Sequence, residues 1–103
     1  MVKKKLPVVW DTLARKSLHD IYLYYQPLSA KAAKKLVKEI LKCTRALNVF
    51  PQKYPFDPLL LSPYRFAVVR HYKIIYTIAQ TEIRVVDIYD TRQDPSKLKD
   101  ILD

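Results

Sequence analysis

Apolar positions in the first half of the chain recur with helical spacing. Leu6–Trp10 is a short apolar run typical of a strand, and Asp11 or Thr12 then offers an N-cap for a helix. Beyond this cap, apolar side chains recur at steps of four, three and four, which places them on one buried helix face. These positions are Ala14, Leu18, Ile21 and Tyr25. Pro27 ends this first helix.

A second helix is predicted to begin after Ser29, which can cap it, and to run to about Asn48. Its apolar face comprises Leu36, Ile40, Cys43 and Leu47. Its cationic face comprises Lys31, Lys35, Lys38, Lys42 and Arg45, with only Glu39 to offset them. Cys43 lies on the apolar face, so we interpret it as a small buried hydrophobic residue rather than a nucleophile. The two helices form an antiparallel hairpin.

The second half of the chain is rich in proline and then in β-branched and aromatic residues. Residues 50–63 hold four of the seven prolines, which predicts a rigid surface connection with Leu59–Leu61 against the core. Three strands of a meander are predicted next, with tight breaks between them at His71-Tyr72 and Gln80-Thr81. They are Tyr64–Arg70, Lys73–Gln80 and Glu82–Tyr89. The last ten residues fit a short helix, with Asp94 as N-cap and Pro95 at its first position.

The order β-α-α-β-β-β predicts a single α+β domain over residues 1–103. In this fold the N-terminal helical hairpin packs on one face of a curved, mainly antiparallel sheet, and a short C-terminal helix follows. The length suits one layered core but not two.

Charge points to the kind of partner. Lys and Arg total 19 against 10 acids, a formal net charge of +9, so we expect a polyanion or an acidic protein as partner. A basic surface without such a partner is the alternative. One cysteine cannot form an internal disulfide, no metal-ligand cluster is visible, and no apolar run suits a signal peptide or a membrane span. A reduced cytoplasm, no cofactor, no metal and no membrane partner are therefore expected.

The strands carry cations where apolar residues would be expected. If Arg65 and Lys73 both lie on the sheet face that the helices leave bare, that face is cationic, and Arg84 and Arg92 add to it from the last strand. Such a surface suits phosphates or carboxylates, and nearby tyrosines can stack on bases. The remaining binding candidates are Tyr64, Arg70 and Tyr72. His71 has the pKa range for acid–base work, although a turn also accounts for it.

The chain resembles the RelE/ParE superfamily of toxins of bacterial type II toxin–antitoxin systems, which includes plasmid stabilisation proteins. The resemblance extends over nearly the whole chain. It is carried by VVWDTLARKSLHDIYLYY at 8–25, Tyr64-Arg65, YKIIYTI at 72–78 and IRVVDIYDTRQDP at 83–95. It implies a toxin neutralised by an acidic antitoxin that wraps it with an extended or helical segment. ParE-like members inhibit DNA gyrase, whereas RelE-like members cut messenger RNA on the ribosome.

The RelE pattern fits this chain only in part. Arg65 takes the place of a catalytic lysine, and Lys73 and Arg92 take the places of arginines. Ala67, however, replaces a second catalytic lysine, and Leu98 stands where a late tyrosine would be. The charge-stabilising residues are retained and the proton-transfer residues are lost. The resemblance therefore favours a ParE-like gyrase inhibitor.

Two alternatives remain beside that hypothesis. One is a RelE-like, metal-independent endoribonuclease that uses Arg65, Lys73 and Arg92, with His71 for acid–base chemistry. The other is a decayed member that binds its partner and harms nothing.

Overall fold

The elements follow one another in the predicted order, which is one short strand, two helices and three further strands. The computed structural model describes residues 5–93 and residue 101. The helices are α1 (Thr12–Tyr25) and α2 (Ala30–Arg45), and a 3₁₀ turn occupies Pro51–Lys53. The strands are β1 (Val8–Trp10), β2 (Arg65–Val69), β3 (Tyr72–Ile78) and β4 (Ile83–Asp90). The predicted C-terminal helix, with Asp94 and Pro95, lies outside the described residues.

The four strands form one sheet in the order β1-β4-β3-β2. Strands β2, β3 and β4 are successive antiparallel neighbours, which confirms the predicted meander. Strand β1 pairs with β4 in parallel, with Val8 opposite Ile83. A parallel partner needs a long crossover, and the chain between β1 and β4 supplies it. The sheet is therefore mixed but mainly antiparallel, as predicted.

The hairpin between β2 and β3 turns one residue earlier than predicted. Val69 pairs with Tyr72, so the two-residue turn is Arg70-His71 and Tyr72 already belongs to β3. Arg70 has φ 54°, in the left-handed region. Two-residue hairpin turns favour positive φ, which glycine normally supplies, and this chain contains no glycine.

Helix α2 begins as predicted and ends earlier. The Ser29 hydroxyl accepts a hydrogen bond from the Ala32 backbone N–H at 3.1 Å, which confirms the cap. The helix ends at Arg45 rather than near Asn48, because residues 46–49 form turns.

The main core lies between the helical hairpin and one face of the sheet. Ala14, Leu36 and Ile40 of the helices pack with buried side chains of the sheet, which include Ala67, Ile74 and Tyr76. Leu18, Ile21 and Tyr25 contact this core, which confirms the predicted apolar face of α1. Cys43 is partly buried against it, and burial raises the pKa of its thiol, in keeping with a packing role.

The other face of the sheet is partly covered. Leu60, from the proline-rich connection, is buried against Ile75 and Tyr89 in a second apolar cluster. Its neighbours Leu59 and Leu61 are exposed, so only one of the three leucines predicted to pack does so. The proline-rich connection therefore covers part of the sheet face that the helices leave bare.

A β-bulge interrupts β4. Tyr76 of β3 pairs with Val85 while the preceding Ile75 pairs with Asp87, so Val86 is left without a partner. Bulges re-aim side chains. Here the Asp87 carboxylate reaches α1, where the Ser17 hydroxyl donates to it at 2.6 Å. Within residues 5–93, no helix is long and apolar enough to cross a membrane.

Candidate functional site

Arg65 uses its guanidinium to hold the proline-rich connection. Its Nη1 donates to the carbonyl oxygens of Tyr54 at 2.6 Å and Gln52 at 3.1 Å. Its guanidinium carbon lies 4.1 Å from the centre of the Phe56 ring, in cation–π geometry. These contacts anchor residues 52–56 against the start of β2.

Lys73 is the counter-ion of a buried carboxylate. Its ammonium donates to Asp57 Oδ2 at 3.1 Å and lies 4.4 Å from the Phe66 ring centre. The other oxygen, Asp57 Oδ1, accepts the backbone N–H groups of Leu59 and Leu60, both at 2.9 Å. Burial favours a higher pKa for Asp57, but the hydrogen bonds from Leu60, Lys73 and Leu59 together outweigh it and lower that pKa.

Arg65 and Lys73 lie on opposite faces of the sheet, so the predicted convergence is wrong. Arg65 pairs with Tyr76, whose side chain is in the helix-side core, whereas Lys73 pairs with Val68 and lies over Phe66 on the other face. The physical reason is the two-residue turn, which pairs odd positions of β2 with even positions of β3. Two odd-numbered residues in these strands therefore point to opposite sides.

Arg92 occupies a third place, beside the C-terminal end of α1. Its Nη2 donates to Asp90 Oδ2 at 3.1 Å and to the Tyr25 hydroxyl at 3.2 Å, and its Nε donates to Asp90 Oδ1 at 3.2 Å. The hydrogen bond from Arg92 lowers the pKa of Asp90, so this carboxylate stays ionised. Arg92 is thus paired, although its side chain remains largely exposed.

The Tyr25 hydroxyl joins Arg92 to two residues of the β2–β3 hairpin. It accepts a hydrogen bond from the Tyr72 hydroxyl at 3.4 Å and lies 3.5 Å from His71 Nε2. His71 is held from its backbone as well, since its carbonyl accepts from the N–H and hydroxyl of Thr91. Of the four candidate catalytic residues, the structure brings His71 and Arg92 together and leaves Arg65 and Lys73 elsewhere.

A cavity of about 360 Å³ opens beside this cluster. Asp20 and Tyr24 line it from α1, and Tyr72, Asp90 and Arg92 line it from the sheet end. Burial raises the pKa of the Tyr72 phenol, and the hydrogen bond to Tyr25 adds to this, so the phenol stays protonated near neutral pH. The Tyr72 ring is buried in the core, which corrects the expectation that it is accessible for stacking.

The two other arginines proposed for binding, Arg70 and Arg84, are also paired. Arg70 makes a two-point contact with Glu39 of α2, Nε to Oε2 at 2.8 Å and Nη2 to Oε1 at 3.1 Å. Arg84 lies 3.3 Å from an Asp11 oxygen and 3.2 Å from a Glu82 oxygen. Both arginines are exposed, so these pairs contribute little to stability and can exchange for a partner's carboxylate. Tyr64 is half-buried in the second apolar cluster.

The cationic face of α2 remains free. We call it the α2 stripe, and it comprises Lys31, Lys35, Lys38, Lys42 and Arg45. All five side chains are exposed, and none is in an ion pair with another residue of the described part of the chain. Lys34 is exposed beside them and was missed by the sequence reasoning. Its spacing of three residues from Lys31 was the available signal.

Exposed apolar side chains form a separate surface. Phe50 is 69% exposed and Val49 is exposed beside it, and with Leu6 and Ile78 they line a groove of about 470 Å³. Large exposed apolar side chains at a groove are typical of protein-binding surfaces.

Sequence reasoning missed Asp57 and Tyr25, which organise the two polar clusters. Asp57 stands in Phe56-Asp57-Pro58, and an Asp before a proline is a signal for a side chain that caps its own turn. Tyr25 gave no signal apart from its helical spacing. No group of three metal-ligating side chains occurs within residues 5–93 and 101.

Comparison with known proteins shows that other proteins share this fold. The structure is similar to "Chromosomal ParDE TA system from P. aeruginosa", with TM-score 0.74, 19% identity, and coverage of 84% of this chain and 96% of that one. It is also similar to "The structure of YoeB dimer from Staphylococcus aureus", with TM-score 0.58, 18% identity, and coverage of 82% and 94%. "YoeB-YefM complex from Staphylococcus aureus" gives TM-score 0.51, 16% identity, and coverage of 82% and 95%.

The TM-scores show a common fold, and no curated protein sequence matches the chain. The family assignment comes from the sequence itself. Residues 8–95 match the model of the ParE toxin of the type II toxin–antitoxin system parDE, from β1 to beyond Arg92. The chain therefore belongs to the ParE toxin family, within the RelE/ParE superfamily that its residues suggested.

Proposed function

We propose that this toxin inhibits DNA gyrase through its basic surface and that an acidic antitoxin holds it inactive. The observation that carries the proposal is the separation of Arg65, Lys73 and Arg92. Metal-free RNA cleavage needs a base, an acid and a charge stabiliser around a single phosphate. Arg65 and Lys73 project from opposite faces of the sheet and Arg92 lies beside Tyr25, so the residues expected for cleavage do not form one site.

The contacts that Arg65 and Lys73 make also argue against a role for them in RNA cleavage. Lys73 neutralises buried Asp57, and Arg65 holds two backbone carbonyls, so both side chains have structural roles. Releasing Lys73 to a substrate would leave Asp57 buried without its counter-ion, which is costly. A toxin that acts by binding needs no such release.

An acidic antitoxin fits the remaining surface. The net charge of +9 attracts an acidic partner, and the groove at Phe50 offers apolar area for a peptide to bury. A neighbouring reading frame should encode a small protein with an acidic, amphipathic C-terminal half. Co-expression should raise the yield of soluble toxin. A toxin that is monodisperse alone, with no such neighbour, would argue against the pairing.

Two assays in parallel test the target. Purified protein is added to a DNA gyrase supercoiling reaction and to a reconstituted translation reaction read by toeprinting. We expect inhibited supercoiling and uncut messenger RNA. Cleavage of codons in the ribosomal A site with supercoiling unchanged would overturn the proposal. Growth that is unaffected by induction, with neither assay positive, would indicate a member that only binds its partner.

One observation favours the RelE-like alternative as a second candidate. His71 and Arg92 meet around the Tyr25 hydroxyl, and Arg92 also lines the adjacent cavity, so an imidazole lies near a cation there. If messenger RNA is cut, His71→Ala and Arg92→Gln should each abolish cleavage. Arg84→Gln, which removes an exposed arginine remote from this cluster, is the matched control. Cleavage that survives both substitutions would exclude this cluster as the active site.

A further inference from the structure

One helix face carries a continuous row of cations that form no ion pair within the described chain. Arg70, Lys73, Arg84 and Arg92 each contact a carboxylate, whereas the members of the α2 stripe contact none within residues 5–93. The stripe is therefore a surface on which an external anion meets five adjacent cations. Such an anion displaces no carboxylate of the described chain when it binds there.

Glu39, the one acid of α2, is paired with Arg70 and interacts with Lys35 only through its charge. Glu39 is turned into its two-point contact with Arg70, and the hydrogen bond from Arg70 lowers its pKa. The pair connects the β2–β3 turn to α2, and both oxygens of the Glu39 carboxylate accept from Arg70. The lysines on either side of Glu39 keep their charge available to solvent.

The stripe is straight and evenly spaced. Its members recur from position 31 to position 45, which spans about 21 Å along the helix axis. Duplex DNA carries one negative charge per about 1.7 Å of axis and holds a dense layer of counterions. A row of five cations on a rigid helix can follow a phosphate backbone over this length and release those counterions.

The chemistry of α2 distinguishes among anionic partners. The exposed large apolar side chains of the described chain all lie outside α2, so this face lacks the apolar anchors common at the centre of protein interfaces. Helix α2 also contains no aromatic residue, so it offers no platform for the stacked bases of a single strand. A duplex, recognised through its phosphates alone, requires neither feature.

We propose that the α2 stripe binds the phosphate backbone of double-stranded DNA, without regard to sequence. Four of the five members are lysines, which act as point charges, whereas base recognition in the groove typically uses the planar fork of arginine. The proposal goes beyond gyrase inhibition and is independent of it, because protein and DNA alone suffice to test it.

The experiment measures binding of the full chain to a 20-base-pair duplex of arbitrary sequence by fluorescence anisotropy between 50 and 300 mM salt. For five phosphate contacts, the logarithm of the association constant should fall with the logarithm of salt with a slope of about −4.5. Lys35→Gln, Lys38→Gln and Lys42→Gln are combined in one variant. It should reduce the slope by about 2.7 and weaken binding at least about tenfold at low salt.

Two further variants keep the test decisive. The matched control combines Lys5→Gln, Arg15→Gln and Lys16→Gln, which removes the same charge from exposed residues outside α2, and it should retain the steep slope. Lys35→Arg, Lys38→Arg and Lys42→Arg together should also retain it, because the charge is kept. Equal losses in the stripe variant and the control would overturn the proposal, since the binding would then reflect net charge alone.

Competing partners supply the remaining outcomes. A poly-glutamate peptide and a single-stranded RNA of 20 nucleotides are measured with the same variants. Stripe-dependent binding of the peptide with no binding of the duplex would contradict the proposal and assign the stripe to an acidic protein. Stronger stripe-dependent binding of the single strand would likewise contradict the choice of a duplex. Helix content by circular dichroism confirms that the glutamine variants fold, since glutamine and lysine have similar helix propensities.

Discussion

Lys73 and Asp57 form an ion pair beneath the loop that covers the second face of the sheet. The ammonium nitrogen lies 3.1 Å from a carboxylate oxygen, and Asp57 is 0% exposed. The same carboxylate accepts two backbone N–H groups of the loop. The pair therefore fixes the loop that inserts Leu60 against Ile75, and its role is structural.

Replacement of Asp57 should destabilise the fold. Asp57→Asn keeps an oxygen for the loop N–H groups but leaves Lys73 without its counter-ion, so the free energy of unfolding at pH 7 should fall by about 1–3 kcal/mol. Urea unfolding measures this loss. Asp11→Asn removes the carboxylate of an exposed pair with Arg84 and should cost less than about 1 kcal/mol. Equal effects of the two substitutions would contradict the assignment.

The contribution of Asp57 should also depend on pH. Because its pKa is lowered on folding, its stabilising effect is present above the unfolded pKa, about 3.9, and is lost as pH falls through the lower folded value. The difference in unfolding free energy between wild type and Asp57→Asn should therefore shrink below about pH 4. Urea unfolding at pH 7, 5 and 3.5 tests this. A constant difference would show that Asp57 does not act through its charge.

The contribution of Asp87 to stability should change with pH in the opposite direction to that of Asp57. Burial raises its pKa above the unfolded value, although the bonds from Ser17 and Ile88 partly offset this. Its ionised form thus opposes folding, and stability falls as pH rises from the unfolded pKa to the raised folded one. Asp87→Asn, which still accepts from Ser17, should increase the unfolding free energy at pH 7 and change it little at pH 3.5. A loss of stability at pH 7 would contradict this account.

Leu61 occupies a backbone conformation that disfavours its own side chain. Its φ is 64°, and a non-glycine residue in this region is strained by about 1–2 kcal/mol. Its side chain is 61% exposed and contributes little packing. Leu61→Gly should therefore stabilise the fold by about 0.5–1 kcal/mol after the entropy of glycine is counted, as measured by thermal unfolding. Leu59→Gly, at a neighbouring exposed position without positive φ, should destabilise it.

Removal of the Tyr25 hydroxyl should loosen the cluster at the end of α1. Tyr25→Phe removes the acceptor for Tyr72 and Arg92, so the pKa of Tyr72 should fall toward its usual value while burial still holds it raised. NMR titration of ¹³C-labelled tyrosine rings measures the shift. Tyr22→Phe, on the same helix and without a bond to Tyr72, should leave that pKa unchanged. An unchanged Tyr72 in both variants would show that burial alone sets its pKa.

Periodicity predicted the architecture well because each helix buries one face. Ser29 caps α2 and Ala14 is buried in α1, as their spacing indicated. Strand boundaries shifted by one or two residues, since β-propensity does not locate a turn when no glycine is present to mark it.

The candidate site was predicted less well, because alternation alone does not say which face of a strand the helices cover. The length of the turn was the missing information. With two residues between β2 and β3, odd positions pair with even ones, which separates Arg65 from Lys73. The partners that hold these cations, Asp57 and the carbonyl of Tyr54, come from the irregular connection, where no periodic signal exists.

The extra residue in β4 has a consequence for which side chains the strand presents to the helices. Val86 interrupts the two-residue alternation of the strand. Odd-numbered residues such as Ile83 and Val85 face the helices before it, and the even-numbered Ile88 faces them after it. A single inserted residue thereby brings Asp90 beside Tyr72 on the helix side of the sheet, where it holds Arg92 near Tyr25.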